Sequence, residues 1–386
     1  MRDVTKLTVP IGVLISSEGP YSVVSSSMLA GALLAVDEVN KGDLPLSLAP
    51  VIRNPAGQLS RYAALAEEML AAGVKHVVGC YTSSSRKEII PLFEKADALL
   101  WYPSHYEGFE SSANVVYTGP VANQHLIPLV DYLMRHVGPT AFCIGSNYIW
   151  AWENNRVLRE AIGPAGSVIA ERYFPVGSTD FTQVIDAILA ARPAFVFNTL
   201  IGDSSYQFLR DLRQACLARG IDQPNTIPVA SCTLSEPEIN AIGPVARDGH
   251  ITSSVYFASI DTPENQSFRA AYAARFAEGP LVSADAEATY IAVRLLALAL
   301  AEAGTSDVVA VKRAVPHQVL QAPQGEVRID ADTLHASLTP RIARSTADGQ
   351  FEILVAAPGP VPADPYLIRN SSRFGVAAQP GLRVAS

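Results

Sequence analysis

The chain is poor in the residues that build common catalytic and metal centres. Its four cysteines (Cys80, Cys143, Cys216, Cys232) show no CxxC pairing, which excludes a disulfide framework or a thiolate metal site. Cys80 and Cys143 fall in or just after strand-like runs, where free buried thiols are common. The seven histidines show neither HxxxH nor HExxH spacing, so no built-in metal site is expected. There is no GxSxG elbow, no GxxxxGK[ST] loop and no GxGxxG. Ser84-Ser85-Arg86-Lys87 fits SxxK, but the KTG and SDN partners of that nucleophile motif are missing. Neither an enzyme nor a cofactor is expected. The net charge is −8 and no Lys/Arg run is longer than Arg86-Lys87, which argues against direct nucleic-acid binding. The most apolar helical stretch, Tyr290 to Ala301, is broken by Arg294 and too short to span a membrane. The N-terminus enters a strand without a leader-like apolar region, so a cytoplasmic protein is expected, or a periplasmic one whose leader has been removed.

What is present is a long α/β pattern. Hydrophobic residues make up 49% of the 386 and charged residues 17%, enough for two lobes with sizeable cores. Strands are predicted at 8–15, 46–53, 75–79, 98–102 and 115–117, alternating with helices at 25–40, 59–72 and 85–96. A second module begins after Gly119-Pro120, with helices at 124–136, 152–162, 180–191 and 205–219. Its strands are predicted at 140–144, 167–173, 194–199, 226–230 and 250–256. Helices at 263–277 and 284–303 and strands at 324–329, 339–345 and 350–355 follow. No linker separates the modules, so the chain is expected to cross between lobes more than once. Lobe one is placed at 1–120 plus 255–335, lobe two at 121–254 plus 336–372, and a tail at 373–386. The fold class is α/β with two doubly wound lobes.

The stretch Gly79 to Glu110 carries the functional signal. Two strands end in turns rich in hydroxyls and rings: Tyr81, Thr82 and Ser83 after the first, Tyr102, Ser104, His105 and Tyr106 after the second. If the strands are parallel neighbours, both turns leave one sheet edge, where open α/β sheets bind ligands. Such groups suit a small polar uncharged molecule. Ser85 and Glu88 have capping-box spacing, which predicts a helix start at Ser85. Asp203 follows an apolar strand and Gly202. It fits a helix N-cap, and it fits a carboxylate that accepts N–H bonds from a ligand. Glu236 and Glu238 fit first-turn helix acids that complement the dipole. Trp150 and Trp152 flank a helix start and fit either cleft walls or ordinary packing.

These residues carry a family resemblance. GALLAVDEVN, GCYTSSSRK with YPSHYEG, GSNYI, FNTLIGDSS and QAPQGEVRID resemble the amide- and urea-binding branch of the type I periplasmic binding protein family, over about residues 8–368. Members include a cytoplasmic amide sensor that sequesters an antiterminator partner and exported substrate-binding subunits of urea and amide ABC importers. The resemblance implies two lobes, three crossovers and hinge closure over a small neutral amide or urea without turnover. It implies a ligand site at Tyr81, Thr82, Ser83, Tyr102, Ser104, His105, Tyr148, Trp150, Gly202, Asp203 and Thr233. The start at a Met just before the first strand favours the sensor, with an antiterminator-type protein as partner. GDS at 202–204 favours the importer, with a permease as partner. A homo-oligomer is compatible with either.

Overall fold

The computed structural model describes residues 6–368, so the predicted tail at 373–386 lies outside the described residues. The first sheet is assembled from β1 (Leu7–Leu14), α1 (Ser22–Lys41), β2 (Leu46–Arg53), α2 (Leu59–Ala71), β3 (His76–Gly79), α3 (Ser83–Ala96), β4 (Leu99–Tyr102) and β5 (Val115–Tyr117). Its five strands are parallel, in the order β2-β1-β3-β4-β5. β3, β4 and β5 are buried at every residue. Helices cover both faces of a sheet of this type, hence the unbroken runs HVV, LLWY and VVY.

The second sheet begins with α4 (Ala122–His136), β6 (Thr140–Ser146), α5 (Ile149–Ile162), β7 (Ser167–Phe174), α6 (Thr182–Ala191), β8 (Phe195–Thr199) and α7 (Asp203–Leu217). It continues through α8 (Gln223–Thr226), β9 (Val229–Ser231), α9 (Glu236–Ile242) and β10 (Ile251–Ser254). The chain then leaves this sheet for α10 (Pro263–Arg275), α11 (Ala284–Ala303), α12 (Val308–Ala314) and a small antiparallel sheet of β11 (Val319–Ala322), β12 (Gly325–Ile329) and β13 (Ala336–Ser337). It returns as β14 (Arg341–Ser345) and β15 (Phe351–Ala356), which complete the order β15-β14-β10-β9-β8-β6-β7. The two-lobed arrangement is the type I periplasmic binding protein fold expected from the resemblance. Strand order reverses around β1 in the first sheet and around β6 in the second. The loops after β1 and β3, and after β6 and β8, are therefore the ones placed to receive a ligand.

α11 packs along α1, and its contact explains a glycine. A Cβ on Gly31 would lie 2.1 Å from the carbonyl oxygen of Ala286, so the helices meet where one has no side chain. α1 is apolar and long enough to cross a membrane by composition, yet most of it is buried here against the first sheet and α11.

Several predicted boundaries are corrected. α3 starts at Ser83, and its cap is Thr82, whose Oγ1 accepts from the Ser85 N–H; Ser85 and Glu88 form no capping box. α1 starts at Ser22, three residues before the predicted start, and α5 at Ile149. The segment predicted as a strand at 226–230 is the end of α8 followed by the shorter β9. Local propensity misses α12 and β11, which are short and held by packing on α11, and β13, held by pairing with β12.

Candidate functional site

Five strand ends build one enclosed wall between the lobes. Tyr81, Ser83 and His105 come from the turns after β3 and β4. Tyr148 and Trp150 come from the start of α5, Ile201 follows β8, and Thr233 follows β9. The cavity these seven enclose is about 10 Å³, room for about one water-sized group. Rings frame it. Tyr81 meets Tyr21 at 5.2 Å, and His105 stands edge-on to Trp150 at 5.3 Å and to Tyr81 at 6.1 Å between centroids. Trp150 is buried, and its indole Nε1–H has no partner.

The two hydroxyl-rich turns are braced from behind by a buried ion cluster. Arg86, on the first turn of α3, is fully buried and donates to Glu107 at 3.0 Å and to Glu110 at 2.8 Å. Its guanidinium lies over Tyr102 at 4.7 Å and Tyr106 at 4.4 Å. Lys87 Nζ adds a bond to Glu110 at 2.7 Å. Burial raises the Glu110 pKa, but Arg86 and Lys87 outweigh it and bring the carboxyl down to about 2. Ser83 Oγ donates to Glu107 Oε2 at 2.5 Å, tying a cavity wall to this brace. The SRK and YEGFE segments therefore encode one electrostatic clamp across a βαβ unit, a pairing that local sequence patterns do not reveal.

Not every expected site residue reaches the cavity wall. Tyr102 lies beneath it, and its hydroxyl donates to the Tyr81 carbonyl at 2.9 Å. Ser104 is buried with Oγ 3.4 Å from the Cys80 carbonyl, and Thr82 caps α3. Asp203 is exposed. It is the first residue of α7, and Gly202 holds the cap position, so neither the N-cap role nor a carboxylate contact inside the cleft fits it. The cause is the backbone. Gly202 has φ +55° and ψ −132°, which turns the Asp203 N–H onto the Pro20 carbonyl of the opposite lobe at 3.0 Å and sends the side chain to solvent. Trp152, exposed, donates to Asn147 outside the cleft.

Two carboxyls at the cleft are not expected from the sequence as site residues. Glu238 sits in the first turn of α9, completing a capping box with Ser235, and accepts from the Tyr206 hydroxyl at 3.3 Å. Asp285 sits in the first turn of α11 on the other lobe, 3.9 Å from His105 Nδ1. Burial pushes Asp285 up to about 7; burial and the charge of Asp285 push Glu238 up to about 8. Burial, with His125 beside it, takes His105 down to about 3 and keeps it neutral. Burial first, then these two carboxyls, hold the Tyr81 hydroxyl well above its ordinary value. Among the described residues no three His, Cys, Asp or Glu side chains are placed to hold a metal ion.

Comparison with known proteins agrees with the architecture. A family described as "Periplasmic binding protein domain" matches residues 9–372. The leucine-, isoleucine-, valine-, threonine- and alanine-binding protein of Pseudomonas aeruginosa is 24% identical over 81% of this chain and 83% of its own. A solute-binding protein of an ABC transporter from R. palustris, solved with 4-hydroxybenzoate, is 21% identical and superposes with a TM-score of 0.82. That superposition covers 92% of this chain and 98% of the other. A limonene hydroxylase of Geobacillus stearothermophilus is 28% identical over 31% of this chain. The match spans only 22% of that protein, so it brings no activity with it. These relatives overturn the expectation of a cytoplasmic protein, because those matched over most of their length are solute- and amino-acid-binding proteins, one of them of an ABC transporter. They likewise give no support to an antiterminator partner.

Proposed function

The chain belongs to the periplasmic binding protein family and is a solute-binding protein, and from that premise we propose that it is the substrate-binding subunit of an ABC importer whose solute is a small neutral amide or urea. The importer role replaces the sensor role favoured by the sequence, and its partner is a permease. One observation carries the ligand class: the wall is small and polar and contains no Lys or Arg, while Glu238 and Asp285 lie alongside it. Arg86, behind Ser83, is already paired with Glu107 and Glu110. A carboxylate solute would be buried there without a counter-ion, which is costly in a low-dielectric site.

A primary amide matches the donors and acceptors on offer. Its carbonyl oxygen can accept from Trp150 Nε1–H, which lacks a partner, and from first-turn N–H groups of α3, which begins at the wall residue Ser83. Its NH₂ can donate to Ser83 Oγ, whose own proton is directed to Glu107, and to the Thr233 hydroxyl. Tyr81, Tyr148 and Trp150 sandwich the flat group, and Ile201 limits its alkyl part. Lobe closure is driven by the ligand's preference for the closed state. Calorimetry with acetamide, propionamide and urea, set against isoleucine and 4-hydroxybenzoate, tests the proposal. Binding of an amide or urea without ammonia release is expected. Binding of isoleucine or 4-hydroxybenzoate with no heat from any amide overturns the ligand assignment.

A further inference from the structure

Next to the cavity, on the hinge side, lies a second chamber of about 20 Å³, room for one water- or ammonium-sized group. Its wall includes His105 and Thr233, which also line the first cavity, so the two adjoin across these side chains. Pro120 lies on the first passage of the chain between lobes and Val255 on the second. Ala284 and Ala288 add an apolar side. Two polar groups stand out in this space. Ser253 is fully buried, and its Oγ has no hydrogen-bond partner. Asp285 is 5% exposed and has no Lys or Arg partner, its closest ring being the neutral His105 at 3.9 Å. An unpartnered buried hydroxyl and a buried carboxyl without a counter-ion both cost stability unless something arrives to satisfy them.

We propose that this chamber is a second subsite, which receives a cationic, hydrogen-bond-donating substituent of the solute, an ammonium held by Asp285 and Ser253, while the amide group occupies the first cavity. The inference rests on the amide reading and narrows it to amino-substituted amides. The connecting methylene groups run between His105 and Thr233 onto the apolar side formed by Pro103, Ala284 and Ala288. An ammonium supplies the partner that Ser253 Oγ lacks, and it is the counter-charge that lets Asp285 ionise in place. A neutral alkyl tail fills the space but leaves Ser253 and Asp285 unsatisfied.

The test is calorimetry at pH 7 with glycinamide, β-alaninamide and 4-aminobutanamide against propionamide, butanamide and pentanamide. Each affinity is taken relative to acetamide on the same protein. At least one aminoamide is expected to bind tenfold or more tightly than the alkyl amide of matching length. That ratio should fall to near one in Asp285→Asn and shrink in Ser253→Ala. The serine variant guards against an Asp285→Asn protein that fails to fold. Acetamide or urea binding with no amino preference, or a preference unchanged in both variants, overturns the subsite and leaves the amide reading standing. No binding of any amide, charged or neutral, by the folded protein removes both.

Discussion

Gly202→Ala separates closure of the lobes from their stability. Gly202 lies against the opposite lobe, and a Cβ there would sit 1.9 Å from the Pro20 carbonyl oxygen. Real Cβ contacts stay beyond 3.0 Å, so the loop after β1 and the loop after β8 must part by about 1 Å or more. That separation breaks the Asp203 N–H bond to Pro20 O, now 3.0 Å, worth about 1 kcal/mol net. It also stretches at least one ligand bond that spans the lobes, at a similar cost. The closed state should lose about 2 kcal/mol, roughly 30-fold in Kd. Alanine at φ +55° and ψ −132° is strained in the open state as well, by about 1–3 kcal/mol, and that part appears as a lower Tm without ligand. Gly220→Ala supplies the control, because Gly220 has φ +65° and a Cβ added there would meet nothing within 4 Å. It should lower Tm and leave Kd alone. Calorimetry with the best amide, and small-angle scattering with and without it, read the two effects. A Gly202→Ala protein that binds and compacts like the parent would refute the latch.

The remaining predictions concern the clamp, the cap and pH. Thr82→Ala should cost about 1 kcal/mol of stability through the lost cap on Ser85 N–H and leave affinity nearly intact. Ser83→Ala should weaken amide binding and also cost about 1–3 kcal/mol, because Glu107 Oε2 loses its bond from Ser83; an unchanged Kd would remove Ser83 from the site. Arg86→Met should destabilise the first lobe by about 3–5 kcal/mol in guanidinium titrations, since it removes the buried cation beside Glu107 and leaves the pair only the exposed Lys87; a loss below about 1 kcal/mol would count against the clamp. Burial raises Glu236 and Asp285 to about 7 and Glu238 and Glu287 to about 8. The folded state then keeps protons that the unfolded chain has lost, and stability falls as pH climbs from about 4.5 to 8. Burial lowers His105 to about 3 and His125, His250 and His335 to about 4, so stability also falls as pH drops below about 6.5. The two contributions oppose each other between about pH 4.5 and 6.5, so Tm at constant salt should be nearly flat there and fall above about pH 6.5; a Tm that rises from about pH 6.5 to 8 contradicts these environments.

The strands and helices that position the site are legible because both sheets are covered on both faces. Runs such as HVV, LLWY and FVFNT declare themselves by length and apolar character, and the helices between them by their period. The helix start at α3 is not legible to within two residues. Thr82, Ser83, Ser84 and Ser85 are all residue types that cap helices, so local chemistry cannot choose among them. The choice is made by tertiary contacts. Cys80 takes φ +67° and its N–H reaches Leu14 O at 3.0 Å, which fixes where the turn ends and makes Thr82 the last extended residue. Ser83 is then turned toward Glu107 and the cavity, and Ser85 back toward Thr82.

Asp203 and Glu238 show the same limit from opposite directions. Each is an acid in the first turn of a helix that follows a strand of the second sheet, and sequence alone ranks Asp203 higher because Gly202 announces a tight turn. That glycine is there for the backbone contact with Pro20, and the contact carries Asp203 away from the cleft. Glu238 has no such signal, since the capping box with Ser235 accounts for it completely at the local level. Its second role exists only because α9 faces, across the lobes, the start of α11 and Asp285, far along the chain. A cleft acid of this kind can be recognised from sequence only once the crossover topology is known, because the topology decides which first-turn acids share a cavity and which face water.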